Sequence, residues 1–207
     1  MGRGSMTNDE LISQLEGIVG KRHVLTSDRA TERFRRGFRS GEGAALCIVR
    51  PGTLLEQWQV LCACVAAGKV IIMQAANTGL TEGSTPKGTY DRDVVLMNSN
   101  RIDGLFLMQG GAQALSLPGA TLFELEQQLR PFNRTPHSVI GSTSIGASIL
   151  GGVCNNSGGS LCEKGPSYTE LALFAQIDAD GQVHLVNHLG IELGDTPEEI
   201  LTRLEAG

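Results

Sequence analysis

The apolar positions Leu11, Ile12, Leu15 and Ile18 fall on one face of a 3.6-residue period. Asn8 or Asp9 stands where a cap is needed, and Gly20 follows the last turn. The spacing predicts a helix over Glu10–Val19. Leu46–Val49 is a short, uniformly apolar run closed by Pro51, which reads as a buried strand. Thr53 then caps a helix with Leu54, Trp58, Leu61 and Val65 at helical spacing and Gly68 as its stop. Val70–Gln74 reads as the next strand, and the β-α-β run predicts parallel pairing of the two strands. A further strand is expected at Asp93–Met97. Ile102–Met108 and Gln113–Leu117 read as a hairpin across Gly110-Gly111, ended by Pro118-Gly119. Thr121 caps Leu122–Leu129, with Glu124 placed to complete a capping box. A short helix is expected at Ile145–Leu150. Strands at Leu171–Ile177 and Val183–Val186 flank the turn Asp178–Gly181, and Thr196-Pro-Glu-Glu opens a last helix.

The stretches between these elements carry the chemistry. Met73–Thr85, delivered by the strand at Val70–Gln74, is made of small residues, hydroxyls and glycines, and its only charge is Glu82. With few Cβ atoms in the way, successive backbone N–H groups can turn inward as an anion-binding nest. An anion held there would be held by backbone dipoles and by the hydroxyls of Thr78, Thr81 and Ser84. A pyrophosphate suits that description. Gly141–Ser160 has no charged residue and six glycines, at Gly141, Gly146, Gly151, Gly152, Gly158 and Gly159. Two such loops in one domain can converge on one extended ligand. The basic segment Arg29–Arg39 reads either as a solvated, partly helical linker or as a surface that meets ligand, membrane or another domain.

Composition narrows the classes. The chain has 207 residues, 41% hydrophobic and 19% charged, which marks an ordinary globular chain. A net charge of −5 and 4% aromatics argue against nucleic acid as a partner. No apolar run reaches the length of a membrane span, and no secretory signal pattern is present. The five cysteines are odd in number and suit a reducing compartment. Cys62 and Cys64 would point to different faces of their helix, as small packing residues rather than a metal or redox pair. Neither G-x-G-x-x-G nor a P-loop occurs, and the first loop has no Lys, which makes a nucleotide triphosphatase an unfavoured reading. No Ser-His-Asp or Cys-His arrangement and no metal-ligand spacing is visible, and His184 and His188 lie on strand and turn rather than on one helical face. No catalytic or metal-binding residue is nominated.

The segments Gln74-Ala-Ala-Asn-Thr-Gly-Leu-Thr-Glu-Gly-Ser84 and Gly141–Ser160 together resemble the two flavin-contacting segments of the p-cresol methylhydroxylase / vanillyl-alcohol oxidase type of FAD domain. Within that type the chain is most similar to the bacterial quinone-dependent D-lactate dehydrogenases. Arg36-Gly-Phe-Arg-Ser-Gly-Glu-Gly43 and Asn155-Asn-Ser-Gly-Gly-Ser-Leu161 follow in the family's order, and the likeness runs from about Asp9 to the end.

The resemblance implies an α+β, two-lobed domain with FAD between the lobes. By residue, it implies that Ala75, Ala76, Asn77, Thr78 and Gly79 wrap the FAD pyrophosphate, with Gly83 and Ser84 as the second half of that loop. Gly141, Ser148 and Gly158 would line the adenosine-side and flavin-side walls. Ile145, Gly146, Gly152 and Asn155 lie in the same wall, as contacts or as loop geometry. Family members with covalent flavin use a His or Cys, in some cases in the first loop. Neither occurs in Met73–Thr85, and His137 reads as a turn histidine, so non-covalent FAD is expected. The implied activity is oxidation of D-lactate to pyruvate with a quinone as acceptor. The alternatives are another 2-hydroxyacid such as glycolate, or a non-catalytic nucleotide-binding fragment. The implied setting is peripheral, on the cytoplasmic face of the bacterial inner membrane. The expected organisation is a tag or disordered terminus at 1–8, a helix and basic linker at 9–40, and an FAD-binding domain at 41–207, with lobes at about 41–100 and 101–207. This part would end before a substrate or cap domain and would be inactive alone.

Overall fold

The computed structural model describes residues 6–136, 140–158, 165–167 and 169–207. Its centre is a four-stranded sheet in the order β1 (Val24–Leu25), β2 (Cys47–Val49), β4 (Val94–Asn98), β3 (Val70–Gln74). The last three strands are parallel, with Ile48 opposite Leu96 and Ile72 opposite Leu96 from the other side, and β1 runs antiparallel at the edge. The expected direct pairing of β2 with β3 is corrected here, because β4 lies between them. Burial explains the order. Every residue of β4 is buried, whereas β3 is half-buried at Val70–Ile72, exposed at Met73 and buried only at Gln74, and a parallel sheet puts its most uniformly buried strand at the centre.

Alternation along β4 sends Val95 and Met97 to one face and Leu96 to the other. On the first face lie α1 (Asn8–Val19) and α3 (Leu54–Ala66), which contribute Leu11, Leu15, Val19, Val60, Ala63 and Cys64. On the second lies α2 (Asp28–Arg35), whose Phe34 packs on Ile48 and Leu96. Part of the basic segment is thus a helix docked on the sheet. The start of α1 also differs from expectation. Thr7 caps it in a reciprocal box with Glu10, because a hydroxyl three residues before a glutamate can satisfy two free N–H groups at once.

A second core gathers Leu54, Leu55 and Trp58 from α3 with Ile102, Leu117 and Leu193, and with Ile200, Leu201 and Leu204 of α6 (Pro197–Ala206). Two antiparallel hairpins stand beside it, β5 (Leu105–Met108) with β6 (Gln113–Ser116), and β7 (Leu173–Ile177) with β8 (Val183–Asn187). The turns fall where glycine permits positive φ, at Gly110, Gly111 and Gly181. Thr121 caps α4 (Leu122–Leu129) through Glu124 N, but the Glu124 carboxylate accepts from Gln128 instead of closing the box. The helix expected at Ile145–Leu150 is displaced. Thr143–Ile145 is a 3-10 turn, Ser148 is the cap, and α5 runs over Ile149–Cys154.

Cys47 and Cys64 are fully buried, and burial pushes both thiols up to about 12, so they remain protonated packing residues. Asp93 clamps three elements. Its Oδ2 accepts from Lys69 Nζ at 2.9 Å and from Asn8 Nδ2 at 3.1 Å, and Lys69 also reaches Asn8 Oδ1 at 2.6 Å.

Two predictions follow from this packing. Leu15 is 0% exposed in the first core, so Leu15→Ala should lower the unfolding free energy by about 2–5 kcal/mol in chemical denaturation. A loss within a few tenths of a kcal/mol would show α1 to be an appendage. The hydrogen bonds from Lys69 and Asn8 hold the Asp93 carboxyl below its ordinary value. A depressed acid stabilises above its unfolded pKa of about 3.9 and loses that contribution as pH falls through the lower folded value. Asp93→Asn should therefore lower the melting temperature at neutral pH, by the equivalent of about 1 kcal/mol or less for so exposed a carboxylate. The gap should close on acidification below the folded pKa, and a gap independent of pH would remove the charge from the explanation.

Candidate functional site

The site is built at the carboxyl ends of the parallel strands, where open α/β sheets place ligands. Gln74, 3% exposed at the end of β3, donates from Nε2 to Phe34 O at 2.9 Å and to Ser84 O at 2.8 Å. One amide thus fixes both the entry and the exit of the first loop and joins them to the end of α2. Asn77 works beside it. Its Nδ2 donates to Arg36 O, and its Oδ1 accepts from Ser84 Oγ at 2.9 Å and Thr85 Oγ1 at 3.1 Å. Asn98, buried at the end of β4, donates to Ala75 O at 2.9 Å.

These contacts leave the loop's donors uncommitted. Among the described residues, no backbone N–H from Ala75 to Ser84 donates a hydrogen bond, and the hydroxyls of Thr78 and Thr81 are also unpaired. Of the three hydroxyls expected to meet an anion, that of Ser84 instead donates to Asn77. Positive φ occurs at Asn77 (56°) and Glu82 (61°), not at Gly79 or Gly83, so the glycines are not there for left-handed backbone. A Cβ at Gly79 would meet nothing within 4 Å, and one at Gly83 only Thr81 Oγ1 at 3.9 Å. Their contribution is a bare, open surface.

Glu82 closes the loop against its neighbour. It accepts from Ser40 Oγ and pairs with Lys87 Nζ, and these two bonds hold its carboxyl below the usual range. The segment Arg36–Gly43 lies alongside. A Cβ on Gly43 would stand 2.7 Å from Pro86 backbone, and one on Gly41 would stand 3.0 Å from Glu82. Sequence reasoning quoted this segment but gave it no part in the site. Its closely spaced glycines were the signal, since Gly43 lets one backbone lie against another and Gly41 leaves room for the Glu82 side chain.

The second loop is tied to the first through one strip of backbone. Ser99 N donates to Gln74 O at 2.9 Å, and Ser99 Oγ reaches Pro118 O at 3.5 Å. A Cβ on Gly119 would stand 2.5 Å from Ser99 O. Leu122 N donates to Ala147 O and Ile149 N to Ala120 O, both at 2.9 Å, which brackets Ser148. Ser148 is 5% exposed, and its Oγ accepts from Gly151 N at 3.0 Å as the cap of α5. Gly141 and Gly158 have open space where a Cβ would be, like Gly79. Gly146 carries φ 93° at the end of the 3-10 turn, Gly152 is buried against Leu122, and Asn155 Nδ2 caps Gly151 O at 2.8 Å. Ile145 is exposed. His137 and the Gly159–Leu161 part of the second segment lie outside the described residues.

A dinucleotide fits this arrangement. A run of free N–H groups with little side-chain bulk offers what a pyrophosphate needs, and the bare glycines of the second loop leave room for flat ring systems. Among the described residues no group of three or more His, Cys, Asp or Glu could hold a metal ion, and no helix is long and apolar enough to cross a membrane.

Known proteins agree with this geometry. The family described as an FAD binding domain matches residues 45–187. The chain is 58% identical over 199 residues to the quinone-dependent D-lactate dehydrogenase of Escherichia coli strain K12, covering 96% of this chain and 35% of that protein. It is 57% identical to the Haemophilus influenzae protein of the same name, covering 97% and 36%, and 50% identical to that of Corynebacterium glutamicum, covering 100% and 36%. The chain therefore spans about a third of the length of the curated relatives it matches. Among solved structures, an alkyldihydroxyacetonephosphate synthase superposes with TM-score 0.69 at 16% identity, over 95% of this chain and 38% of that one. A p-cresol methylhydroxylase with substrate bound gives TM-score 0.65 at 14% identity, over 94% and 40%. The fold is thus the α+β FAD-binding fold of the p-cresol methylhydroxylase type, and the chain belongs to the FAD binding domain family.

Proposed function

We propose that this chain is the FAD-holding part of a quinone-dependent D-lactate dehydrogenase, which oxidises D-lactate to pyruvate. The observation that carries the reading is identity of 50–58% along essentially the whole chain to relatives of that name, with the anion-cradling loop inside the matched region. When bound, FAD supplies the redox chemistry, taking two electrons from the substrate's α-carbon and passing them to the quinone.

The chain's own residues bind and orient. In this reading the free N–H groups of Ala75, Ala76, Asn77, Thr78 and Gly79, and those of Gly83 and Ser84, receive the pyrophosphate oxygens. Gln74, Asn77 and Ser84 hold the loop in shape through the bonds described above. Gly141 and Gly158 give the rings an open approach, and Ser148 sets the direction of α5. Electrostatic holding by fixed backbone dipoles costs little reorganisation on binding. The absence of His and Cys in Met73–Thr85 supports non-covalent attachment. Glu82 is engaged by Ser40 and Lys87, so the first loop offers no uncommitted carboxylate as a base. The substrate proton is then accepted elsewhere in the full-length enzyme. A quinone acceptor is membrane-dissolved, which favours an enzyme working at a membrane; the peripheral setting at the cytoplasmic face of the bacterial inner membrane is the part of this proposal that rests on the resemblance alone.

Three outcomes test this. Purified chain reconstituted with FAD should show flavin absorption bands, and acid precipitation should release all the flavin into the supernatant; flavin retained in the pellet would contradict non-covalent attachment. Gly79→Val places a branched side chain in open space, so melting temperature should hold while flavin affinity falls by about tenfold or more, the equivalent of losing one charge-assisted hydrogen bond. Unchanged flavin occupancy would take this loop out of the site. In the full-length polypeptide, anaerobic D-lactate should bleach the flavin bands. Bleaching by glycolate and not by D-lactate would reassign the substrate.

A further inference from the structure

The charges around α2 are unevenly matched. Arg35 meets Asp28 at 3.6 Å, and Arg36 meets Glu32 at 2.9 Å and Glu42 at 3.2 Å. The two carboxylates of α2 are thereby taken. Arg29 and Arg33 have no ion-pair partner among the described residues. They are four apart on one helix face, a like-charge spacing that destabilises a helix by about 0.2–0.5 kcal/mol. Arg33 also lies over the Phe34 ring, at 4.6 Å from its centre, which fixes the direction of its guanidinium.

Facing them is Arg50, the residue after β2. Its Nε is buried and has no hydrogen-bond partner. Burial pushes its pKa down, and so do the neighbouring guanidinium groups of Arg33 and Arg101. The three arginines line an open surface depression of about 460 Å3 with Leu25, Ser27 and Ala30, and no carboxylate lines it. A separate cleft of about 240 Å3 runs from Arg33 and Arg50 to Ala75, Ala76 and Asn77. Arg33 and Arg50 therefore stand between the depression and the first loop.

We propose that the pocket of Arg29, Arg33 and Arg50 is a second anion site that takes a phosphoryl group, adjoining the first loop but distinct from the backbone N–H groups assigned to the FAD pyrophosphate. Three guanidinium groups lining one depression supply more donors than a carboxylate's two oxygens can use, and they match the oxygens and near-double charge of a phosphate monoester. The depression also has room beyond the phosphoryl group, over Leu25 and Ala30, for the body of an ester. That ester is either a free phosphate compound or a phospholipid headgroup.

The test uses the FAD-loaded chain, with inorganic phosphate as the probe and calorimetric titration at constant ionic strength. Wild type should bind phosphate saturably with its flavin bands unchanged. Arg29→Gln/Arg33→Gln, at two exposed helix positions, should weaken phosphate by about tenfold or more, with flavin content and melting temperature retained. Arg39→Gln, an exposed arginine outside the pocket, should bind as wild type does. Absence of saturable binding would overturn the proposal, as would equal binding by the double variant, equal weakening by Arg39→Gln, or displacement of flavin by phosphate. A chain that takes up no flavin at all would fail the FAD reading, and the phosphate titration would still decide the pocket. Sedimentation with phosphatidylglycerol vesicles separates the two sources. Wild type pelleting where the double variant does not assigns a lipid headgroup, and phosphate binding without vesicle binding assigns a free phosphoester.

Discussion

The hydrogen bonds of the Gln74 side chain hold the site together. A buried primary amide has two N–H groups to place, and here they go to Phe34 O and Ser84 O. Each of those carbonyls, left unpaired in a dry environment, costs about 1–3 kcal/mol. Those two bonds fix the entry and the exit of a loop rich in glycine and small residues. Side chains on its inner side do the structural work, and its own N–H groups stay free for another partner. Asn77 and Asn98 extend the same division of labour, since both spend their amides on backbone carbonyls.

The second loop is held by a different device. It is pinned through the backbone of 118–122, which pairs with Ala147 and Ile149 and touches Ser99. Ser99 in turn hangs from Gln74 O. A displacement at the end of β3 is therefore passed through a few hydrogen bonds to the start of α5. The two glycine-rich segments lie far apart in sequence, and this strip of hydrogen bonds joins them.

Much of this was legible in the sequence where local rules act alone. Thr53, Thr121 and Thr196 cap helices as their spacing to the following glutamate implies, and both hairpins stand where the turn residues put them. Strand order was not legible, because β2-α3-β3 looks the same in sequence whether or not a later strand inserts; only the uniform burial of Val94–Asn98 decides it. The helix expected at Ile145–Leu150 begins later because the cap at Ser148 governs where it starts. At the site, the composition of the first loop pointed to an anion cradle. Which hydroxyl stays free did not show, since Ser84, Thr78 and Thr81 are alike until Asn77 selects Ser84 and Thr85. The glycines of Arg36–Gly43 acquire a meaning only beside their neighbours, Gly43 against the Pro86 backbone and Gly41 against the Glu82 side chain.

The helix α3 belongs to both cores. Its first turns give Leu54, Leu55 and Trp58 to one cluster, and its later turns give Val60, Ala63 and Cys64 to the other. The Glu205 carboxylate adds a hydrogen bond to Leu54 N from α6. Opening either core while α3 stays on the other would expose the apolar residues that pack against α3. The two clusters share one helix, which couples their unfolding. A nucleotide bound anywhere on the strip between the loops stabilises both halves of the polypeptide at once.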